Sequence, residues 1–154
     1  MNTHKHHNAR IENAKDCTYY IEFPSIIESI HELQPFLLTI KEYNSLDDNG
    51  KHTLQLILSE CINNAIFHGN RCDPSLSVKL GIDFQNDSSI LCIIEDQGIG
   101  FDRSKIANPT LPENLLSEGG RGVYLIETFS DSIEYVYGKE TFTIKISITL
   151  PTNT

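Results

Sequence analysis

The spacing of apolar residues changes several times along the chain, and each change marks an element. Between residues 25 and 44, Ile27, Ile30, Leu33, Leu37, Ile40 and Tyr43 recur at three- and four-residue steps, as on one face of a helix. Pro35 lies inside that run and lacks the N–H a helix interior needs, so a kink or break is expected between His31 and Pro35. A second stripe of Leu54, Ile57, Leu58, Cys61, Ile62 and Ala65 predicts another helix. Asp47 or Asp48 caps its start, and Gly69, free at positive φ, suits its end.

Other segments follow the two-residue rhythm of strands or run apolar between turn residues. Residues 17–23 (CTYYIEF) are β-prone and stop at Pro24; 77–84 and 90–95 read as two strands joined by QNDSS. Residues 132–137 and 141–150 read as a hairpin with a tight turn at Gly138-Lys139. A short helix is expected over about 122–129. Between them, residues 103–118 carry Pro109 and Pro112 and are too polar for core and too long for a simple connector, which suggests a lid. Residues 1–16 read as a flexible N-terminal tail and 17–150 as a single domain. Helices and a mixed, mostly antiparallel sheet in this order give an α/β sandwich of two layers, with the helices on one face.

At 154 residues the chain is long enough to bury roughly 70% of the surface it exposes unfolded. Twelve basic against 21 acidic residues give a net charge of −9, which argues against nucleic acid and anionic membrane as partners. Cys17, Cys61, Cys72 and Cys92 have neither CxxC nor zinc-like spacing. His4, His6 and His7 lie on a polar terminus without a fourth ligand and are read as part of the tail. With no apolar leader at the start of the sequence, the expectation is a reduced cytoplasmic protein.

Three segments carry candidate chemistry. In SECINNAIFHG (59–69), Glu60 and Asn64 are four apart and project from one helix face. A carboxylate and a carboxamide there suit a Mg²⁺ ion with its waters and phosphates, or else form a solvated polar face. In EDQGIGFD (95–102), Asp96 ends an apolar strand, and Gly98 and Gly100 let backbone approach a flat ligand while the carboxylate accepts from an exocyclic amine; a plain turn is the alternative. In SEGGRGVYLIETFSD (117–131), Gly119, Gly120 and Gly122 open a helix with Arg121 among them, an arrangement suited to a polyphosphate or simply to a flexible helix entry. The third glycine of a dinucleotide fingerprint would fall at Arg103, and no GxxxxGK[ST] occurs.

In this order and spacing, the three segments resemble the N box and the two glycine boxes of the GHKL (Bergerat-type) ATPase superfamily, which includes gyrase, histidine kinases and mismatch-repair proteins. The stretch LLSEGGRGVYLIETFSD is especially similar to the bacterial anti-sigma-factor serine/threonine kinases. The resemblance implies ATP and Mg²⁺ as cofactors, with Glu60 polarising the attacking hydroxyl or water and Asn64 binding Mg²⁺. It implies Asp96 on the adenine amine, Gly98 and Gly100 shaping the base pocket, and Gly119, Gly120, Arg121, Gly122 and Val123 around the phosphates, beneath a lid at 103–118. A threonine after the last hairpin, Thr141 or Thr143, is implied at the base pocket, although Glu140 stands where the family often has Gly. His68 and Asn70 match the end of the N box and either border the ribose or phosphates or cap the helix. The implied function is an ATP-dependent protein kinase that sequesters a sigma factor and phosphorylates a STAS-domain antagonist on serine. The resemblance leaves room for a homodimer. The alternative is an ATP-binding switch module that regulates a non-sigma partner with little or no kinase activity.

Overall fold

In the computed structural model, residues 10–98 and 126–150 are described. Among the described residues five strands form one sheet: β1 (Tyr19–Pro24), β2 (Ser77–Phe84), β3 (Ser89–Asp96), β4 (Ser132–Tyr137) and β5 (Phe142–Thr149), in the order β1-β2-β3-β5-β4. Every neighbouring pair is antiparallel. Alternation decides which side chains face the helices. Phe23, Val78, Leu80, Ile82, Ile90, Cys92, Ile94, Phe142, Ile144, Ile146 and Ile148 pack with the helices into one core. At the β2–β3 connection, Asn86 Oδ1 accepts from the backbone N–H of Ser88 (3.0 Å) and Ser89 (2.8 Å), a side chain standing in for backbone in the turn.

The helical layer comprises α1 (Leu33–Leu38), α2 (Lys41–Asn44) and α3 (Asp48–Asn64), with a short helical stretch over 126–129. The 25–44 region does break as Pro35 requires. A 3₁₀ turn spans Ile27–Glu32, and Pro35 falls in the first turn of α1, where its missing N–H has no intrahelical acceptor to lose. A second break follows at Ile40, whose backbone is extended; Thr39 Oγ1 and Asn44 Nδ2 donate to the carbonyls of Phe36 and Leu38 there. Asp47, not Asp48, caps α3, accepting from Gly50 N–H at 2.6 Å. The predicted stripe from Leu54 to Ala65 is buried. Among the described residues no helix is long and apolar enough to cross a membrane.

Two expectations need correction. The β4–β5 turn is displaced by one residue: Tyr137 pairs with Phe142, and Gly138 N–H donates to the Thr141 carbonyl, which leaves Lys139 and Glu140 at the tip. The end of the expected tail is also not loose chain. Residues 10–18 cross the face of the sheet that the helices leave open. Arg10 forms an ion pair with Glu134 on β4 at 2.9 Å, and Ala14 and Cys17 pack on Ile93. Ala14 N–H donates to Glu95 Oε1 (2.7 Å), and Thr18 donates twice to Asp83 Oδ2.

Gly81 makes that close approach possible, because a Cβ there would overlap the backbone of Ala14. Gly81→Val is expected to destabilise the protein by about 1–3 kcal/mol, the usual cost of overpacking, and to speed amide exchange at Ala14. Thermal melting and exchange measurements check this; unchanged protection at Ala14 would show that the segment contributes little.

Candidate functional site

The site is built where α3 ends against the end of β3. Glu60 and Asn64 lie one turn apart in the last part of α3. Glu60 is half-buried, and burial raises its carboxyl above the ordinary range. Asn64 is 8% exposed, and its Nδ2 has no hydrogen-bond partner among the described residues. An unsatisfied buried amide costs free energy and is rarely left unpaired unless a ligand or water completes it.

After Asn64 the helix widens into a π-helical turn, Ala65–Gly69, so that Asn70 N–H reaches back to the Ala65 carbonyl at 2.8 Å. Such single-turn widenings concentrate at functional sites. The turn presents Phe67 and His68 to solvent and brings Gly69 against Asp96. A Cβ at Gly69 would overlap the Asp96 carboxylate, and one at Gly98 would overlap the Gly69 carbonyl. Glycine at both places is therefore a condition of the contact.

Asp96 is 4% exposed and accepts from Gly98 N–H at 2.8 Å. Burial pushes its carboxyl up to about 6, an effect that this hydrogen bond partly opposes. Because the folded pKa lies above the unfolded value of 3.8, the stability linked to this group is present below about pH 4 and is lost as pH rises through 6. Asp96→Asn is therefore expected to stabilise the nucleotide-free protein at pH 7 by about 2–3 kcal/mol, a gain that shrinks to nothing by about pH 4. Denaturant unfolding of both proteins at the two pH values checks this. A less stable variant at pH 7 would contradict it.

The structure brings Asp96, Gly98 and the end of the N box together. It does not bring Thr143 to Asp96: Thr143 pairs with Glu95 while Phe142 pairs with Asp96, so Thr143 lies on the opposite sheet face. Thr141 lies in the loop before β5, its hydroxyl against Gly138. Gly100, Gly119, Gly120, Arg121, Gly122, Val123 and the 103–118 lid lie outside the described residues. Asn70, left open between ligand contact and cap, is buried and bonded through its side chain to Ser25, Ser77 and Gln97.

Residues 23–148 match the model of the histidine kinase-like ATPase domain. The chain belongs to that family. Among its relatives is a serine-protein kinase RsbW from Bacillus licheniformis, 35% identical over 99 residues, a match covering 59% of this chain and 57% of that protein. An anti-sigma F factor from Clostridium perfringens is 35% identical over 105 residues, covering 66% of this chain and 72% of that protein. The matched region thus spans little more than half the length of the RsbW relative. In fold, the family member resembles a Mycobacterium tuberculosis chain containing RsbU and RsbW domains, with a TM-score of 0.56 at 13% identity, over 89% of this chain and 35% of that one. The family's ATP-binding character fits a site in which a buried carboxylate meets two glycines at the end of a strand.

Proposed function

We propose that the protein is an ATP-dependent protein serine/threonine kinase acting as an anti-sigma factor in a partner switch, with a STAS-domain antagonist as its phosphoryl acceptor. One observation carries the reading. Glu60 and Asn64 are partly withdrawn from water on the helix whose end packs against Asp96, in a chain 35% identical over 99 and 105 residues to proteins named serine-protein kinase RsbW and anti-sigma F factor. A sigma factor and, as the resemblance allows, a second copy of the chain complete the set of partners. The four cysteines are free, which accords with the reduced cytoplasm we assign to it.

Each residue has a distinct task in this mechanism. Asp96 accepts from the adenine amine and sets the nucleotide's depth, with Gly98 leaving room for the flat base. The serine hydroxyl oxygen bonds to the γ-phosphorus as the bond to the β–γ bridging oxygen breaks. The hydroxyl proton passes to the Glu60 carboxylate, and ADP leaves. Burial raises the basicity of that carboxylate, which favours the proton transfer. Asn64 would hold Mg²⁺ through Oδ1, while its Nδ2, unpartnered among the described residues, would donate to a phosphate oxygen or a water. When bound, Mg²⁺ supplies charge to neutralise the phosphate oxygens. The product serine gains about −1.5 to −2 charge beside a chain of net −9, and this repulsion helps expel it.

The partners are tested by capture from the native cytosol with ATP or ADP present, followed by identification of what binds. Recovery of a sigma factor and a STAS protein supports the reading. A partner of another class that receives no phosphate would favour the switch module without kinase activity.

A further inference from the structure

We propose that Asn70 is a positioning residue of the base pocket: its buried carboxamide ties the end of the N-box helix to the turn that carries Asp96 and Gly98, and so maintains the preference for adenine. The inference rests on the reading of Asp96 as the adenine-binding carboxylate.

Asn70 follows the π-helical turn and is 3% exposed. Its side chain forms three hydrogen bonds, all to other segments. Nδ2 donates to Ser25 Oγ (2.7 Å), just beyond β1, and to the Ser77 carbonyl (2.8 Å), at the start of β2. Oδ1 accepts from Gln97 N–H (2.8 Å), the residue directly after Asp96. Gln97 Oε1 in turn accepts from Ser77 N–H at 2.7 Å, so Ser77 is held from both sides. Two consecutive amides of the turn are thereby fixed, Gln97 N–H by Asn70 and Gly98 N–H by Asp96 Oδ1.

The chemistry demands asparagine. Two donors and an acceptor on so short a side chain are supplied by a carboxamide; aspartate would lack the donors and alanine would lack all three groups. The backbone beside it is also costly. Arg71 and Cys72 follow at φ 52° and 57°, the left-handed region that non-glycine residues rarely adopt, and Cys72 N–H donates to the Ile66 carbonyl at 2.8 Å. Such strain persists where surrounding bonds over-determine the conformation, and the Asn70 network is what surrounds it. A simple helix cap would satisfy only its own helix. Asn70 instead fixes the amide next to the carboxylate that reads the base.

The test compares ATP with inosine triphosphate, which has the same phosphates but a carbonyl in place of the adenine amine. Calorimetric affinities are measured for the full chain and for Asn70→Ala. The ratio of the two affinities should fall by about tenfold, mostly through ATP, because the carboxylate no longer faces the amine squarely. A melting temperature that drops while the ratio stays at its wild-type value would make Asn70 merely structural and overturn the proposal. Should Asn70→Ala fail to fold, Ser25→Ala decides, since it removes one anchor of the carboxamide. A fall in the ratio of about twofold or more supports the proposal, and an unchanged ratio overturns it. Asp96→Asn is measured in parallel. A wild-type ratio retained there would show that the base-pocket reading had failed, and the positioning role with it. A ratio lost in Asp96→Asn but retained in Asn70→Ala rejects the positioning role alone.

Discussion

Glu60→Gln should reduce phosphoryl transfer by roughly 10²–10⁴ while ATP affinity stays within about threefold of wild type. Glutamine keeps the size and hydrogen-bonding reach of Glu60 and removes the charge that attracts the hydroxyl proton. The loss should therefore fall on the chemical step, since the proposed mechanism assigns binding to Asp96 and the phosphate contacts. Asn64→Ala should behave in the opposite way, weakening ATP chiefly when Mg²⁺ is present, because it removes the oxygen we propose for the ion. Initial rates of label transfer from γ-labelled ATP, set beside calorimetric affinities, separate the two. Wild-type transfer by Glu60→Gln would remove Glu60 from the role of base.

ATP should bind more tightly than GTP by at least about 1.5 kcal/mol, or roughly tenfold. In the proposed site the adenine amine donates to Asp96, whereas guanine would present a carbonyl and set two acceptors against each other where Asp96 is 4% exposed. Asp96→Asn offers a donor to that carbonyl and should erode the preference. The same substitution is expected to stabilise the nucleotide-free protein, so a loss of selectivity together with a gain in stability would mark Asp96 as a carboxylate kept for its ligand. Equal affinities of the wild-type protein for the two nucleotides would reject the assignment.

Much of the frame around the candidate site was legible from spacing alone. The α3 stripe, its Asp47 or Asp48 cap and the burial of its apolar residues follow from a 3.6-residue period with polar punctuation. The position of Asp96 at a strand end follows from the apolar run before it. What escaped depends on register and on contacts between distant segments. The tip of the last hairpin lies at Lys139 and Glu140, one residue beyond the Gly138-Lys139 signal. The face of Thr143 was nonetheless readable, because Phe142, Ile144, Ile146 and Ile148 alternate into the core and leave odd-numbered residues on the other side.

The segment over 10–18 gave no such signal. Its packing on the sheet depends on a missing side chain at Gly81, a carboxylate at Glu95 and two small residues, Ala14 and Cys17, far apart in sequence from their partners. Asn70 was visible as a residue of the N-box end, but its role depends on three groups at positions 25, 77 and 97 that only folding brings together. The π-helical turn that places it has no distinctive composition, since it differs from an α-helix by one residue in the hydrogen-bond ladder.

The most direct test of the partner-switching kinase takes a STAS protein captured from the native cytosol, incubates it with the chain and ATP, and determines by mass spectrometry whether and where phosphate is added, while titration follows binding before and after. The predicted result is one phosphate on a serine, transfer slowed by roughly 10²–10⁴ with Glu60→Gln, tight binding of the unmodified acceptor with nucleotide present and loss of that binding once the serine is phosphorylated. Failure to add phosphate, or undiminished binding of the phosphorylated acceptor, would contradict the account.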